Sequence, residues 1–227
     1  MTNSNTKKAV VILSGGMDSV TTLAIANSEG YKCSCITFDY GQKSIAEITA
    51  AKYFSKLYKS QDHKIFEIDF RKFTKSALTS SDISIPINSN DSIPDTYVPM
   101  RNIIFLSIAC SWAEMLSISN IFIGANAIDY SGYPDCREDF LESFESTVNL
   151  GSKTGNSDNK FNILRPLINL KKIQIIKIGH SLGLNYTKTI SCYQATEDGK
   201  ACGICESCSF RKKAFIENGL NDETIYI

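Results

Sequence analysis

A glycine-rich turn, LSGGMDS at residues 13–19, carries a strong chemical signal near the start of the chain. It follows the apolar run KAVVIL at residues 8–13 and opens a helical pattern that begins at Asp18. Paired glycines let the backbone approach a ligand closely, and the first turn of a helix offers unpaired N–H groups and a positive dipole end. The turn therefore predicts a phosphate-binding loop, although Ser14 or Asp18 capping an ordinary helix would need the same residue types. It has neither the Lys-Ser/Thr ending of a Walker A loop nor G-x-G-x-x-G, so neither of those nucleotide-binding folds is indicated.

Four cysteines near the C-terminus have the spacing of a metal site: Cys192, Cys202, Cys205 and Cys208. Thiolates in a C-x-x-C-x-x-C run with a fourth upstream suit a closed tetrahedral Zn²⁺ site, which leaves no position open for catalysis. An iron–sulfur cluster is the alternative, but the bacterial ferredoxin run would place its next cysteine at Lys212, followed by proline. We therefore expect one structural zinc per chain. The other cysteines are expected to be small buried side chains: Cys33, Cys35, Cys110 and Cys136.

Alternating strand and helix patterns must position these groups. Apolar runs predict strands at 8–13, 31–38, 63–70 and 120–124, and helical patterns cover about 18–29, 45–58, 102–116, 135–150 and 170–182. This alternation predicts an α/β fold with a doubly wound, mostly parallel sheet. Polar stretches at 80–99 and 151–160 are expected to be loops. We expect two units, an α/β domain at residues 1–187 and a small zinc-binding module at residues 188–227 packed on it.

The charge balance limits the classes of partner. The 227 residues carry 24 Lys plus Arg and 24 Asp plus Glu, which gives a formal net charge of zero. Because phosphate neutralisation supplies much of the affinity for nucleic acid, no nucleic-acid partner is expected. No apolar run reaches the ~18 residues of a membrane span, and residues 9–13 are too few for a signal-peptide core. We expect a cytoplasmic enzyme that acts on small molecules, with homodimer formation left open.

The string SGGMDS after a first strand resembles the pyrophosphate-binding loop of the N-type ATP pyrophosphatases, which cleave ATP between the α- and β-phosphates. Enzymes with this loop activate a carbonyl group as its adenylate before a nitrogen or sulfur nucleophile attacks. Further strings resemble one family within that superfamily, the 7-cyano-7-deazaguanine synthases of queuosine biosynthesis. They are TFDYGQ (37–42), VPMRN (98–102), GANAIDYSGYPDCR (124–137), RPLINLKK (165–172) and the cysteine tail.

This resemblance runs from about residue 8 to residue 215 and shows one departure at Met100, where relatives often have the glycine of Val-Pro-Gly-Arg-Asn. It implies an adenine-nucleotide alpha-hydrolase-like fold. The implied reaction converts 7-carboxy-7-deazaguanine, ammonia and Mg-ATP into the cyano base through an adenylate and an amide.

The resemblance also implies a set of site residues. Catalytic roles are expected for Asp18, Arg101 and Lys172. Because its charge repels phosphate, Asp18 would hold Mg²⁺ or cap the helix. Arg101 and Lys172 would bind phosphate or the substrate carboxylate. The alternative for both is a solvated position at the surface. ATP-binding residues are expected to be Leu13, Ser14, Gly15, Gly16, Met17, Asp18, Ser19, Phe38 and Tyr40.

Substrate binding is expected from Arg101, Asn102, Asp129, Tyr130, Tyr133 and Asp135. The last four follow a strand end, where ligands bind in open parallel sheets, and they offer aromatic faces and carboxylates to a purine-like base. A turn would have the same composition. Cys136 is expected to line the site, because neither His63 nor His180 lies near it in sequence to act as a base.

Two other functions stay open at this point. A tRNA-thiolating ATP pyrophosphatase would need a basic RNA-binding surface and reactive, unligated cysteines. A non-enzymatic nucleotide-binding zinc protein would bind ATP without turning it over.

Overall fold

The computed structural model describes residues 6–87, 93–128 and 132–227. Its sheet is parallel throughout, in the order β3-β2-β1-β4-β5. The strands are β1 Lys8–Ile12, β2 Lys32–Asp39, β3 His63–Glu67, β4 Asn120–Phe122 and β5 Asn162–Leu164. The strand predicted at 63–70 ends earlier, because Asp69 accepts a hydrogen bond from the Arg71 N–H and begins a 3₁₀ turn at Phe70–Lys72. The three residues of β5 were not predicted as a strand.

Six α-helices accompany the sheet in the described part of the chain. They are α1 Met17–Ser28, α2 Ala46–Leu57, α3 Arg101–Met115, α4 Glu138–Gly151, α5 Lys172–Ser181 and α6 Glu206–Glu217. Helix α4 begins later than its pattern predicted, because Pro134–Cys136 form a 3₁₀ turn before it. Residues 152–160 form the predicted loop, and the described residues of 80–99 hold neither helix nor strand. None of these helices combines the length and apolar character that a membrane span requires.

Both faces of the sheet are covered, and neighbouring residues of β1 face opposite sides. Val10 packs in a buried cluster with Phe105 of α3 and Ile121 of β4. Val11 packs in a second buried cluster with Leu23 of α1, together with residues of α2, α5 and α6. The predicted doubly wound, parallel α/β fold is therefore confirmed.

The strand order reverses at β1, which pairs with β2 on one side and with β4 on the other. In open parallel sheets, such a reversal opens a crevice at the carboxyl ends of the strands. The LSGGMDS turn leaves β1 at this point, so the fold brings the predicted phosphate loop to the place where ligands bind.

The C-terminal tail contains α6, which the sequence patterns did not predict and which packs against the α/β core. Phe215 belongs to the buried cluster of α1 and α5. The Arg211 side chain is almost fully buried; it pairs with Asp222 at 2.9 Å and donates hydrogen bonds to Thr189 Oγ1 and Tyr186 O. These contacts hold the tail on the domain, and the division at residue 187 stays a prediction.

Candidate active site

A cleft of about 220 Å³ lies where β1, β2 and β4 end. Residues that follow each of these strands form its walls, together with the start of α3 and α5. Most of the predicted site residues line it: Leu13, Ser14, Gly16, Met17, Asp18, Ser19, Phe38, Tyr40, Arg101, Asn102, Tyr133 and Lys172. Cys136 lines it as well, as predicted.

The turn after β1 is shaped by its own hydroxyl groups. Ser19 Oγ accepts hydrogen bonds from the N–H groups of Ser14 and Gly15, at 3.1 and 3.2 Å, and donates to Gly16 O. Gly15 has a φ of +89°, and a Cβ there would overlap the carbonyl oxygen of Glu47 in α2. Gly15 is therefore required by the close approach of α2 and does not itself line the cleft.

Asp18 and Lys172 form a buried ion pair in the cleft wall. Lys172 Nζ lies 2.7 and 2.6 Å from the two carboxylate oxygens of Asp18. Asp18 does not cap α1, because the N-cap is Gly16 and no side chain bonds to it. The capping expectation was therefore wrong. Lys172 is only 5% exposed, so it is not the surface-solvated lysine that the sequence left open.

Arg101 begins α3 and reaches toward the end of β2. Its Nη1 lies 3.4 Å from the hydroxyl of Tyr40, and its guanidinium lies 5.8 Å from the centre of the Tyr40 ring. Burial raises the pKa of Tyr40 to about 12, so its hydroxyl stays protonated at neutral pH. The preceding residue, Met100, has a φ of +60°. A bend of this kind suits glycine, the residue that the Val-Pro-Gly-Arg-Asn pattern led us to expect at this position.

Among the described residues after β4, Tyr133 and Asp135 have different roles. Tyr133 lines the cleft, and its hydroxyl is 2.5 Å from Thr96 Oγ1. Asp135 is buried and does not line the cleft, because its carboxylate accepts a hydrogen bond at 2.9 Å from the Asn102 N–H at the start of α3. Asp135 thus supports the helix that carries Arg101. Asp129 and Tyr130, the other predicted base readers, lie outside the described residues.

Cys136 contacts Asn102 at the start of α3, as Asp135 does. Its sulfur accepts a hydrogen bond from Asn102 Nδ2 at 3.2 Å. Burial, reinforced by the charge of Asp135, raises the pKa of the Cys136 thiol to about 12. A thiol that stays protonated is a poor nucleophile, which fits a residue that only lines the site.

Sequence reasoning missed several residues of the cleft. Ser44 and Glu47 line it near the start of α2 and lie within five residues of the end of the TFDYGQ string, a proximity that could have revealed them. Burial raises the pKa of Glu47 to about 8, with Arg101 acting in the opposite direction. Phe105 of α3 also lines the cleft and stacks on Phe38, with ring centres 3.9 Å apart.

The segment before the first cysteine of the tail lies on the predicted phosphate loop. Ile190 N–H donates to Gly15 O at 3.0 Å, and Ser191 Oγ accepts from Met17 N–H at 3.4 Å. Ile190, Ser191 and Tyr193 line the cleft. Because Cys192 directly follows Ser191, these contacts place the cysteine cluster next to the predicted phosphate loop.

The four predicted cysteine ligands come together, with sulfur atoms that all lie within 4.8 Å of one another. A tetrahedral site with Zn–S bonds of ~2.3 Å needs sulfurs ~3.8 Å apart, so the cluster has the right size for one ion. Backbone N–H groups of Cys202 and Cys205 point at the sulfurs of Cys192 and Cys202, at 3.3 and 3.4 Å. Such bonds stabilise thiolates, and the cluster fits a metal ion with four sulfur ligands.

This combination of cleft and cysteine cluster coincides with a family match along almost the whole chain. The family described as "Queuosine biosynthesis protein QueC" matches residues 8–219. The chain belongs to that family. The chain is also similar to the 7-cyano-7-deazaguanine synthase of Cellvibrio japonicus (strain Ueda107), which is 50% identical over 220 residues, covering 97% of this chain and 98% of that protein. The synthase of Ruthia magnifica subsp. Calyptogena magnifica is 50% identical over 228 residues, covering 100% and 99%.

Solved structures resemble this QueC family member in fold. A 4-thiouridine synthetase, in complex with RNA and bound ATP, has a TM-score of 0.53 at 19% identity, covering 94% of this chain and 50% of that chain. NMN synthetase from Francisella tularensis has a TM-score of 0.50 at 17% identity, covering 96% and 80%. These likenesses concern the fold alone and agree with the expected adenine-nucleotide alpha-hydrolase-like architecture. Membership of the QueC family makes the chain an enzyme of queuosine precursor synthesis, as its motifs predicted.

Proposed function

We propose that this enzyme converts 7-carboxy-7-deazaguanine, ammonia and Mg-ATP into 7-cyano-7-deazaguanine through an adenylate and an amide. The observation that carries the proposal is the cleft, where the loop of residues 13–19 meets Arg101, Lys172 and Tyr133 beyond the strand ends. Relatives named 7-cyano-7-deazaguanine synthase at 50% identity support the same product.

The chemistry requires two activations of one carbon. A carboxylate oxygen is a poor leaving group, so the first oxygen must leave within AMP when ammonia attacks. The resulting amide oxygen is equally poor, so a second activation by ATP must precede its loss. We therefore expect AMP and pyrophosphate as nucleotide products, and an enzyme-bound amide that the same cleft converts to the nitrile.

The cleft residues suit distinct parts of this reaction. The N–H groups and hydroxyls of the loop suit the pyrophosphate portion of ATP, with the positive end of α1 behind them. Lys172, held by its ion pair with Asp18, would stabilise the negative charge that develops at the α-phosphate. Arg101 would bind the substrate carboxylate. Phe38 and Tyr40 offer ring surface to the nucleotide, and Tyr133 and Asn102 lie where the deazaguanine base would bind.

We further propose that the four cysteines hold one structural zinc ion per chain. A closed set of sulfur ligands keeps no position for substrate, so the ion would fix the segment that lies on the phosphate loop. We also propose a cytoplasmic location, with small-molecule partners and without nucleic acid, in keeping with the neutral net charge.

The decisive experiment supplies the protein with ATP, Mg²⁺, ammonium and 7-carboxy-7-deazaguanine and follows products by mass spectrometry. We expect the cyano base, AMP and pyrophosphate, whereas ADP and phosphate would exclude an adenylate. Synthetic 7-amido-7-deazaguanine with ATP and no ammonia should also yield the cyano base. If it does not, while the carboxylate substrate remains active, the two-step scheme in one cleft is wrong. A tRNA-thiolating activity would instead transfer sulfur to tRNA, and a non-enzymatic protein would leave all substrates unchanged.

A further inference from the structure

The start of α2 presents an acidic corner to the cleft that the reaction as described above does not use. Glu47 lies in the first turn of α2, Ser44 lies two residues before the helix, and both line the cleft. The close approach of the Glu47 carbonyl to Gly15 fixes this turn against the phosphate loop. The corner is therefore part of the same rigid wall as the loop.

Both polar groups of this corner have hydrogen-bonding capacity left over. The Ser44 side chain is 1% exposed, and its hydroxyl has no hydrogen-bond partner of ordinary geometry in the part of the chain that the structure describes. It lies close enough to Glu47 to favour the ionised carboxylate. Among the described residues, Glu47 forms no ion pair within 4.0 Å. A buried hydroxyl beside the Glu47 carboxyl group forms an incomplete site, and a cationic donor bound there would complete it and favour the ionised carboxylate.

The charges around the corner decide which ligand suits it. Arg101 from α3 and Tyr40 from the end of β2 face Glu47, and Tyr40 stays protonated because burial raises its pKa to about 12. Across the remaining lining, Lys172 is already paired with Asp18. A carboxylate repels the phosphates of ATP and the carboxylate of the substrate, so the corner suits a small cation with N–H donors.

We infer that Ser44 and Glu47 bind the ammonium ion that supplies nitrogen to the reaction, and that Glu47 accepts its proton. This inference rests on the proposed function, in which ammonia attacks an acyl adenylate. Ammonium predominates at neutral pH and has no lone pair, so it must lose a proton before it can attack. A base beside the phosphate loop would release ammonia where the adenylate forms.

The step balances without a further reactant. The Glu47 carboxylate takes one proton from ammonium, giving ammonia and a neutral carboxylic acid. The ammonia lone pair forms a C–N bond to the acyl carbon, and the C–O bond to AMP breaks with its electron pair on the phosphate oxygen. The attacking nitrogen then loses one proton to the departing AMP or to water, and the Glu47 acid returns its proton to solvent.

The properties of Glu47 suit this task. A general base works best when its pKa lies near the working pH, and burial raises the pKa of Glu47 to about 8. A carboxylate at its ordinary pKa would be a much weaker base toward ammonium. Binding of the cation would in turn favour the ionised form of Glu47.

The test compares two nucleophiles on the Glu47→Gln variant. Hydroxylamine is uncharged at neutral pH and needs no base before it attacks an adenylate, where it gives a hydroxamate. We expect Glu47→Gln to lower amide formation from ammonium by about 100-fold or more at neutral pH. Hydroxamate formation and the ATP–pyrophosphate exchange that reports adenylate formation should stay within about threefold of the wild type. Because hydroxamate formation itself reports a folded active site, a merely structural role would lower both activities together.

Three further variants sharpen the result. Ser44→Ala should raise the KM for ammonium with little change in hydroxamate formation. Glu47→Asp should recover part of the ammonium activity, and Glu138→Gln, which removes a first-turn carboxylate of α4 outside the cleft, should behave as wild type. Equal losses with both nucleophiles, or undiminished ammonium activity in Glu47→Gln, would overturn the inference. A wild-type protein that forms neither amide nor hydroxamate would instead overturn the proposed function.

Discussion

Lys172 and Asp18 are 154 residues apart in the chain, yet the lysine Nζ lies within 2.7 Å of both carboxylate oxygens. The side chains are 6% and 16% exposed, so each charge depends on the other for its compensation. This pair joins the first turn of α1 to the first turn of α5 at the cleft. The pair keeps a cation beside the loop of residues 13–19, while its two opposite charges leave this wall of the cleft close to neutral.

We expect Lys172→Met to destabilise the fold by about 3–5 kcal/mol, because it leaves the Asp18 charge buried without a partner. The double variant Asp18→Asn with Lys172→Met should recover much of that stability without recovering activity. Urea unfolding of wild type, both single variants and the double variant measures the coupling. Additive losses would show that the pair contributes no mutual stabilisation.

The two glycines of the loop should respond differently to alanine. A Cβ on Gly15 would overlap Glu47 O and lie 2.7 Å from Ala51 N, at a φ of +89°, whereas a Cβ on Gly16 would lie 3.3 Å from Ile190 O. Gly15→Ala should therefore cost about 2–4 kcal/mol from strain and overpacking, and Gly16→Ala under about 1 kcal/mol. Urea unfolding gives both values. Equal losses at the two positions would contradict this assignment of the turn.

Met100→Gly should stabilise the protein. Met100 has a φ of +60° and a side chain that is 51% exposed, so glycine would relieve backbone strain and forfeit little packing. Glycine also loses more conformational entropy on folding, which offsets part of this relief. We therefore expect the free energy of unfolding to rise by about 0.5–1 kcal/mol, or the Tm by ~1–4 °C. Met100→Ala is the matched control, because it removes the side chain but keeps the Cβ. An equal gain in both variants would show that the stabilisation comes from removing the Met100 side chain and not from relief of backbone strain.

Loss of one cysteine ligand should loosen the tail and the phosphate loop together. We expect one zinc per chain in the wild type, and Cys205→Ser should lower that content and expose the tail to limited proteolysis. Cys110→Ala should keep its zinc, because Cys110 lies in the core outside the cluster. Elemental analysis of the purified proteins measures the metal. Stoichiometric iron with visible charge-transfer absorption after anaerobic purification would contradict a zinc site.

Glu47 should make the stability depend on pH. Its pKa rises from 4.5 to about 8 on folding, so the folded state binds the proton more tightly than the unfolded state. The stabilisation that protonated Glu47 gives the folded state is full below pH 4.5 and is lost as the pH rises through about 8. Glu47→Gln lacks this titration, so its Tm relative to wild type should increase between about pH 5 and pH 8.5. A difference that stays constant over this range would contradict the raised pKa.

Local signals were sufficient to predict the fold class, the glycine turn after β1 that lines the cleft and the four cysteines that come together in the tail. Each of these depends on residue types within a short stretch: apolar runs for strands, paired glycines before a helix, and the C-x-x-C-x-x-C spacing. Strand β5 has only three residues, and α6 lies within the cysteine tail, so their patterns were too short or too mixed to recognise. The end of β3 was misplaced because the Asp69 side chain begins a turn inside an apolar run.

The roles within the cleft were decided by tertiary structure. The sequence placed Asp18 and Lys172 in the site but could not pair them, because their contact depends on how α1 and α5 pack across the sheet. It placed Asp135 beside the base, whereas packing turns its carboxylate to the start of α3. It overlooked Glu47, whose raised pKa comes from burial. Residue type and short spacing are properties of the chain, but burial and the partners of a charge exist only once distant segments meet.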